Sequence, residues 1–138
     1  MFPDSRTWTP SPTRITSLPL NAGLVIVGTP AQVAFQLPSL TEILAITASY
    51  PCWVTLYTSL AALLADASRT IYQDPIAGQG AIVDIYCVSA NVPVITSPVP
   101  LFNNPTSIPN APAFLAIRNM GGSNSPISLT VTHCPEQI

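Results

Sequence analysis

The sequence predicts an all-β fold: a jelly-roll-like β-sandwich of seven or eight antiparallel strands with one short helix over about residues 59–67. Three observations predict it. Apolar and polar residues alternate in short runs, which is the period of a strand. Proline, glycine and Asp or Asn punctuate those runs at close intervals, as turn residues do. One stretch alone, "SLAALLADAS", is built from strong helix formers.

The first thirteen residues carry Pro3, Pro10 and Pro12 among Ser and Thr, with Phe2 and Trp8 between them. Such a segment builds no core and favours extended conformations, so it reads as an arm (1–13) ahead of a single domain (14–138). A solvated tail is the plain alternative, but tails are poor in aromatics. Strand patterns begin with "TRITSLPL" and "AGLVIV" and continue in "AQVAFQL", where Val33, Phe35 and Leu37 share one face. "EILAITAS" follows Pro38. In "CWVTLYT", Cys52, Val54 and Leu56 face one way and Trp53, Thr55 and Tyr57 the other, with Trp53 and Tyr57 expected to pack beneath the helix.

Thr58 or Ser59 is placed to cap that helix, and Asp66 and Arg69 stand three apart, close enough to pair. "GAIVDIYCVS" puts Ala81, Val83, Ile85 and Cys87 on one face and Ile82, Asp84 and Tyr86 on the wetter one. Between Val92 and Pro112 the chain is rich in proline. Pro98, Pro100, Pro105, Pro109 and Pro112 argue against a central strand there, so this region is expected to follow an edge and loop over one end of the sandwich. Finally, "AFLAIRN" and "ISLTVTHC" flank "MGGSNSP" and read as a closing hairpin, with Gly121 and Gly122 supplying positive φ at the turn.

Charge is scarce. Asp, Glu, Lys and Arg make up 7% of the 138 residues, and the net charge is −2, where soluble domains carry about 25% charged residues. There is no lysine, and the four arginines (Arg6, Arg14, Arg69, Arg118) form no cluster in sequence, which argues against nucleic acid as a partner. The long uncharged runs are broken by prolines, so neither reads as a membrane-spanning helix. "MFPDSRTWTPSPTR" lacks the apolar stretch of a secretory signal. Three cysteines, Cys52, Cys87 and Cys134, read as core thiols. A surface this short of charge repels neighbouring copies weakly, so much of it is expected to be covered by other chains, with a Ser/Thr-coated monomer as the alternative.

Catalysis finds little support in the residues. A hydrolase elbow needs glycines on either side of its serine, yet Ser59 sits in Tyr57-Thr58-Ser59-Leu60-Ala61 and reads as a cap. The one histidine, His133, stands beside Cys134 in a strand whose same-face neighbours are apolar, which suits a structural residue. Adjacent strand residues point to opposite faces, so His133 and Cys134 cannot chelate one ion together. Asp74 and Asp84 are candidates to meet in space, but the six acids are too scattered in sequence for calcium. The chain is therefore expected to be no enzyme and to need no cofactor or metal. Trp53, Tyr57, Tyr72 and Tyr86 leave carbohydrate binding as a second reading, since β-sandwiches serve lectins.

One set of residues resembles a known group. A strand like "WVTLYTS", then "AALLADASR", an acid-Pro loop, a glycine, a strand like "GAIVDIY" and an ending like "FLAIRNMGGSNSPISLTVT" are similar to those of small bacteriophage virion structural proteins. The similarity runs over about 41–138, with Tyr57, Ala61, Asp66, Arg69, Gly80, Arg118 and Asn119 at matching positions. It implies a non-enzymatic subunit of a phage particle, in the tail or fibre region or as capsid decoration. Such a subunit would be made in the host cytoplasm and partnered by copies of itself, as a trimer or symmetric array, and by other virion proteins. Phe2, Trp8, Arg14 and Phe102 are the expected assembly contacts. A host-surface glycan is the alternative ligand.

Overall fold

The structure, a computed structural model, describes residues 15–70, 73–74, 80–96, 99–105 and 108–135. Among the described residues nine strands and one helix follow in order: β1 (Thr16–Val25), β2 (Ala31–Pro38), β3 (Leu40–Ala48), β4 (Cys52–Tyr57), α1 (Leu60–Ala65), β5 (Ala81–Cys87), β6 (Val94–Ile95), β7 (Leu101–Asn103), β8 (Asn110–Asn119) and β9 (Ser125–Pro135). They form two antiparallel sheets. The first is ordered β1-β9-β3, with β6 and β7 both on the far side of β3; the second is β2-β8-β4-β5.

β6 and β7 are two halves of one edge strand. β7 pairs with Leu40–Glu42 and β6 with Ala45–Ile46. Between them Ile43 N–H donates to the Pro100 carbonyl and Thr96 N–H to the Leu44 carbonyl. An edge tolerates the interruption because proline's missing N–H can face away from the ladder. Counted this way, eight strands pair first with last, second with second-last, third with third-last, and the middle two with each other. The expected edge course is found at Val94–Ile95 and Leu101–Asn103.

Two expectations are corrected. "AFLAIRN" and "ISLTVTHC" do not form a hairpin: β8 lies in the second sheet between β2 and β4, and β9 lies in the first between β1 and β3. The turn joining them crosses from sheet to sheet. Its glycines do not supply positive φ; Gly23, Gly28 and Gly80 do so elsewhere. Gly121 is required for space instead, because a Cβ there would lie 2.2 Å from the Tyr50 hydroxyl oxygen. Secondly, Pro112 does belong to a central strand. It lies beyond the last β4 pair, Tyr57 with Phe114, and its carbonyl accepts from Asn104 Nδ2 at 3.2 Å, so its N side faces no β4 residue.

The core fills the space between the sheets. Ile43, Ile46 and Ala48 of β3 and Ile127, Leu129 and Val131 of β9 face Val54 and Leu56 of β4, Val83 of β5, and Ala113, Leu115 and Ile117 of β8. Leu37 is buried with them and Val33 and Phe35 pack against them, as their shared face predicts. Burial of each large aliphatic chain contributes about 1.5–3 kcal/mol. His133 extends the inward row of β9. It is buried, with Nδ1 3.1 Å from the Thr41 hydroxyl, and burial lowers its pKa from the ordinary 6.5.

β4 breaks the alternation. All six of its residues are buried, because the core covers one face while α1 and the turn after it cover the other. α1 is shorter than expected, at Leu60–Ala65. Ser59 Oγ accepts from Ala62 N–H at 3.1 Å, and the Asp66 N–H closes the last turn. A helix this short is unstable alone; Leu63 holds it down, buried against Tyr57 and Ala116.

Candidate functional site

The outer face of the second sheet carries a polar cluster set by strand register. Trp53 stands between Arg118 of β8 and Tyr86 of β5, and Thr55 between Ala116 and Asp84. The Trp53 and Tyr86 rings stack with centroids 5.8 Å apart. The capped helix then carries the chain across this face and delivers Asp66 and Arg69 from above.

Arg69 is the hub. Its Nε donates to both Asp66 oxygens at 2.9 and 3.0 Å, its Nη1 to Asp84 Oδ2 at 2.9 Å and the Gln73 carbonyl at 2.6 Å, and its Nη2 to Asp84 Oδ1 at 3.0 Å and Thr55 Oγ1 at 3.3 Å. Asp84 Oδ1 also accepts from Trp53 Nε1 and Thr55 Oγ1, both at 2.7 Å. The Tyr57 hydroxyl donates to Asp66 Oδ2. Both arginines sit over the Trp53 ring, Arg118 at 4.2 Å and Arg69 at 4.8 Å from its centroid. The asparagine next to Arg118, Asn119, ties the cluster to the nearby turns, donating to the Val25 and Ser123 carbonyls.

The titration of the cluster follows from this geometry. Burial pushes the Asp84 carboxyl up, but the bonds from Arg69, Thr55 and Trp53 outweigh it and hold it below the ordinary 3.8. Burial likewise works against the Arg69 charge, and Asp84 and Asp66 more than offset it, so its pKa rises. Burial, then the bond to Asp66, raises the Tyr57 phenol. Each of these groups is held in one charge state near neutral pH, which suits a clamp better than a proton-transfer relay.

Six charged residues lie among the described residues: Glu42, Asp66, Arg69, Asp74, Asp84 and Arg118. Four of these six meet here, so a chain poor in charge concentrates it on one face. Beside the cluster opens a cleft of about 460 Å³, lined by the turn at Gly28–Pro30, by Trp53, by residues 67–69 and by residues 118–120. No protein-family model, curated protein or solved structure matches the chain.

The residues singled out from the sequence fall as follows. Phe2, Trp8, Arg14 and Tyr72 lie outside the described residues, as does the arm over 1–13. Phe102, expected as an assembly contact, is corrected: it is fully buried in the chain's own core, where β7 directs it inward, and offers a neighbour no surface. Asp66 and Arg69 pair as their spacing predicts. Asp84 is bound to Arg69, not to Asp74, and it is half-buried rather than on a wet face. Tyr57 does pack beneath the helix, whereas Trp53 lies under the two guanidiniums and is 2% exposed, so it presents no ring face for a sugar. Ser59 caps the helix beside the second sheet, while His133 lies inside the first, so the structure does not bring them together. Among the described residues no group of three or more His, Cys, Asp or Glu is placed to hold a metal ion, and no helix is long and apolar enough to cross a membrane.

Sequence reasoning missed the meeting of Asp84 and Arg118 with Arg69 around Trp53. The available signal was rarity. In a chain with ten charged residues, an Asp in the strand "AIVDIYC" and an Arg in "FLAIRN" sit where strands are otherwise apolar, and such charges need partners.

Proposed function

We propose that the chain is a non-enzymatic structural subunit of a bacteriophage particle, in the tail or fibre region or as capsid decoration, and that its sandwich is a jelly roll. The observation that carries this reading is that charge is drawn into a largely buried cluster while apolar side chains are left in solvent. Four of the six described charges lie in one cluster, while large apolar side chains stand out in solvent, among them Ile95 at 70%, Val88 at 68%, Ile108 at 67% and Leu24 at 61% exposure. Single exposed apolar residues are ordinary. Ile95, Val99 and Leu101, however, lie along one stretch of the β6–β7 edge, and Leu24, Ile26 and Val27 around the turn after β1. Apolar surface with little charge between copies favours association.

Strand pairing supports the jelly-roll reading, because first-with-last pairing in two four-strand layers is what rolling up one long antiparallel hairpin produces. That architecture serves capsid and lectin domains alike, so it does not choose between them. We rest the choice on the resemblance of the residues over 41–138 to phage structural proteins. Sedimentation velocity on the purified chain tests association: a discrete oligomer supports the subunit reading, and a monomer at high micromolar concentration overturns it. Charge substitutions on the apolar edge, Ile95→Glu with Leu101→Glu, are expected to dissociate the oligomer while leaving circular dichroism unchanged.

A further inference from the structure

The two cations over Trp53 are unequally matched. Arg69 commits its donors to Asp66, Asp84, Thr55 and the Gln73 carbonyl. Arg118 makes no ion pair among the described residues, and its Nη2 donates to the Asp66 carbonyl at 3.1 Å. Arg118 Nη1 is buried and has no acceptor. An ionised donor shut away without a partner is uncommon in folded proteins and asks for a reason. Arg118 also forms part of the wall of the 460 Å³ cleft, together with Thr29, Pro30, Ser68 and Met120.

We propose that this cleft binds a carboxylate, with Arg118 as the anchor. A guanidinium presents its donors along a planar edge whose spacing fits the two oxygens of a carboxylate. Stacked on the indole, Arg118 keeps its flat face covered and can turn in its own plane. That turn brings Nη1 out of its closed position to the entering oxygen, so an empty donor gains a charged acceptor. The nearby carboxylates do not compete, since Asp84 is held by Arg69, Thr55 and Trp53, and Asp66 by Arg69 and Tyr57. The cleft is at the small end of ligand sites, so it suits a short organic acid or one acidic side chain. Pro30 and Met120 would meet the apolar body of the ligand, and the hydroxyls of Thr29 and Ser68 its polar edge.

Trp53 is the natural reporter, because a moving guanidinium changes the field at the indole. Trp8→Phe removes the chain's other tryptophan. Emission of that variant is titrated with succinate, with a capped Ala-Asp-Ala tripeptide, and with succinamide as the uncharged control. A saturable change with succinate supports a free organic acid. A change with the tripeptide alone supports an acidic side chain of a neighbouring protein. Arg118→Gln is expected to weaken either response about tenfold, the loss of a charge-assisted bond. Ser68→Phe, a change at an exposed turn position that leaves Arg118 in place and obstructs the cleft, is expected to abolish it. No saturable change with either acid, succinamide acting as well as succinate, or an unaltered midpoint in Ser68→Phe would each overturn the proposal.

Discussion

Replacing Arg69 with leucine is expected to be among the most damaging single changes in the chain. The side chains of Arg69 and Asp66 are 3% and 5% exposed and that of Asp84 is 20% exposed, so solvent cannot take over the lost partner. Removing one member of a buried ion pair costs about 3–5 kcal/mol, because the charge left behind stays desolvated. Total stabilities run to only about 5–15 kcal/mol. With a urea slope of about 2 kcal/mol per molar, the midpoint falls by roughly 1.5–2.5 M, read by Trp53 emission and circular dichroism together. A pH series sharpens the test. In the native chain the Asp84 pKa is depressed, so its contribution is present above the unfolded value of 3.8 and is lost as pH falls through the folded one. In Arg69→Leu the bonds from Arg69 are gone while those from Thr55 and Trp53 remain, so the Asp84 carboxyl is less depressed and the deficit against wild type narrows as pH falls through the carboxylate range. Asp66→Asn with Asp84→Asn in the same background is expected to recover part of the loss, since no desolvated carboxylate remains without its cation. An Arg69→Leu midpoint equivalent to less than about 1 kcal/mol from wild type would refute the reasoning, because that is the worth of an exposed pair.

Phe102→Ala is expected to cost about 3–5 kcal/mol in the isolated chain, the usual loss for a buried aromatic; a loss visible only in the oligomer would contradict its place in the core. Gly121→Ala forces a methyl against the Tyr50 ring and is expected to cost about 1–3 kcal/mol, with Tyr50→Ala restoring part of it, while Gly122→Ala, which meets nothing within 4 Å, is expected to be near neutral. Thermal melts compare the three. His133 has a folded pKa below its unfolded 6.5, so the unfolded state binds more protons and stability declines as pH falls from about 6.5; His133→Gln is expected to flatten that slope in urea titrations between pH 7 and 5.

What could be seen in the sequence was local. The cap at Ser59, the helix after it and the pairing of Asp66 with Arg69 each depend on residues within one turn of each other, and each is found. Alternation correctly assigned the faces of β2 and β9. It could not say which sheet a strand joins, because β8 and β9 carry similar patterns and their apolar faces meet across the core instead of side by side. A proline count also cannot distinguish the interior of a strand from its overhang, which is why Pro112 fits in β8. The cluster around Trp53 gathers residues from β4, β5, β8 and the turn after α1. Its geometry depends on strand order, and strand order is non-local.

First-with-last pairing also constrains how the molecule comes into being on the ribosome. Thr16 pairs with His133, and β9 inserts between β1 and β3 as a central strand. β1 therefore waits unpaired until nearly every other strand has emerged, and β3 keeps one edge open for as long, whereas β4 can find β5 early. Closing so long a loop is entropically slow. Nascent chains stalled before β9 are thus expected to be the species that chaperones hold and that aggregate when made too fast.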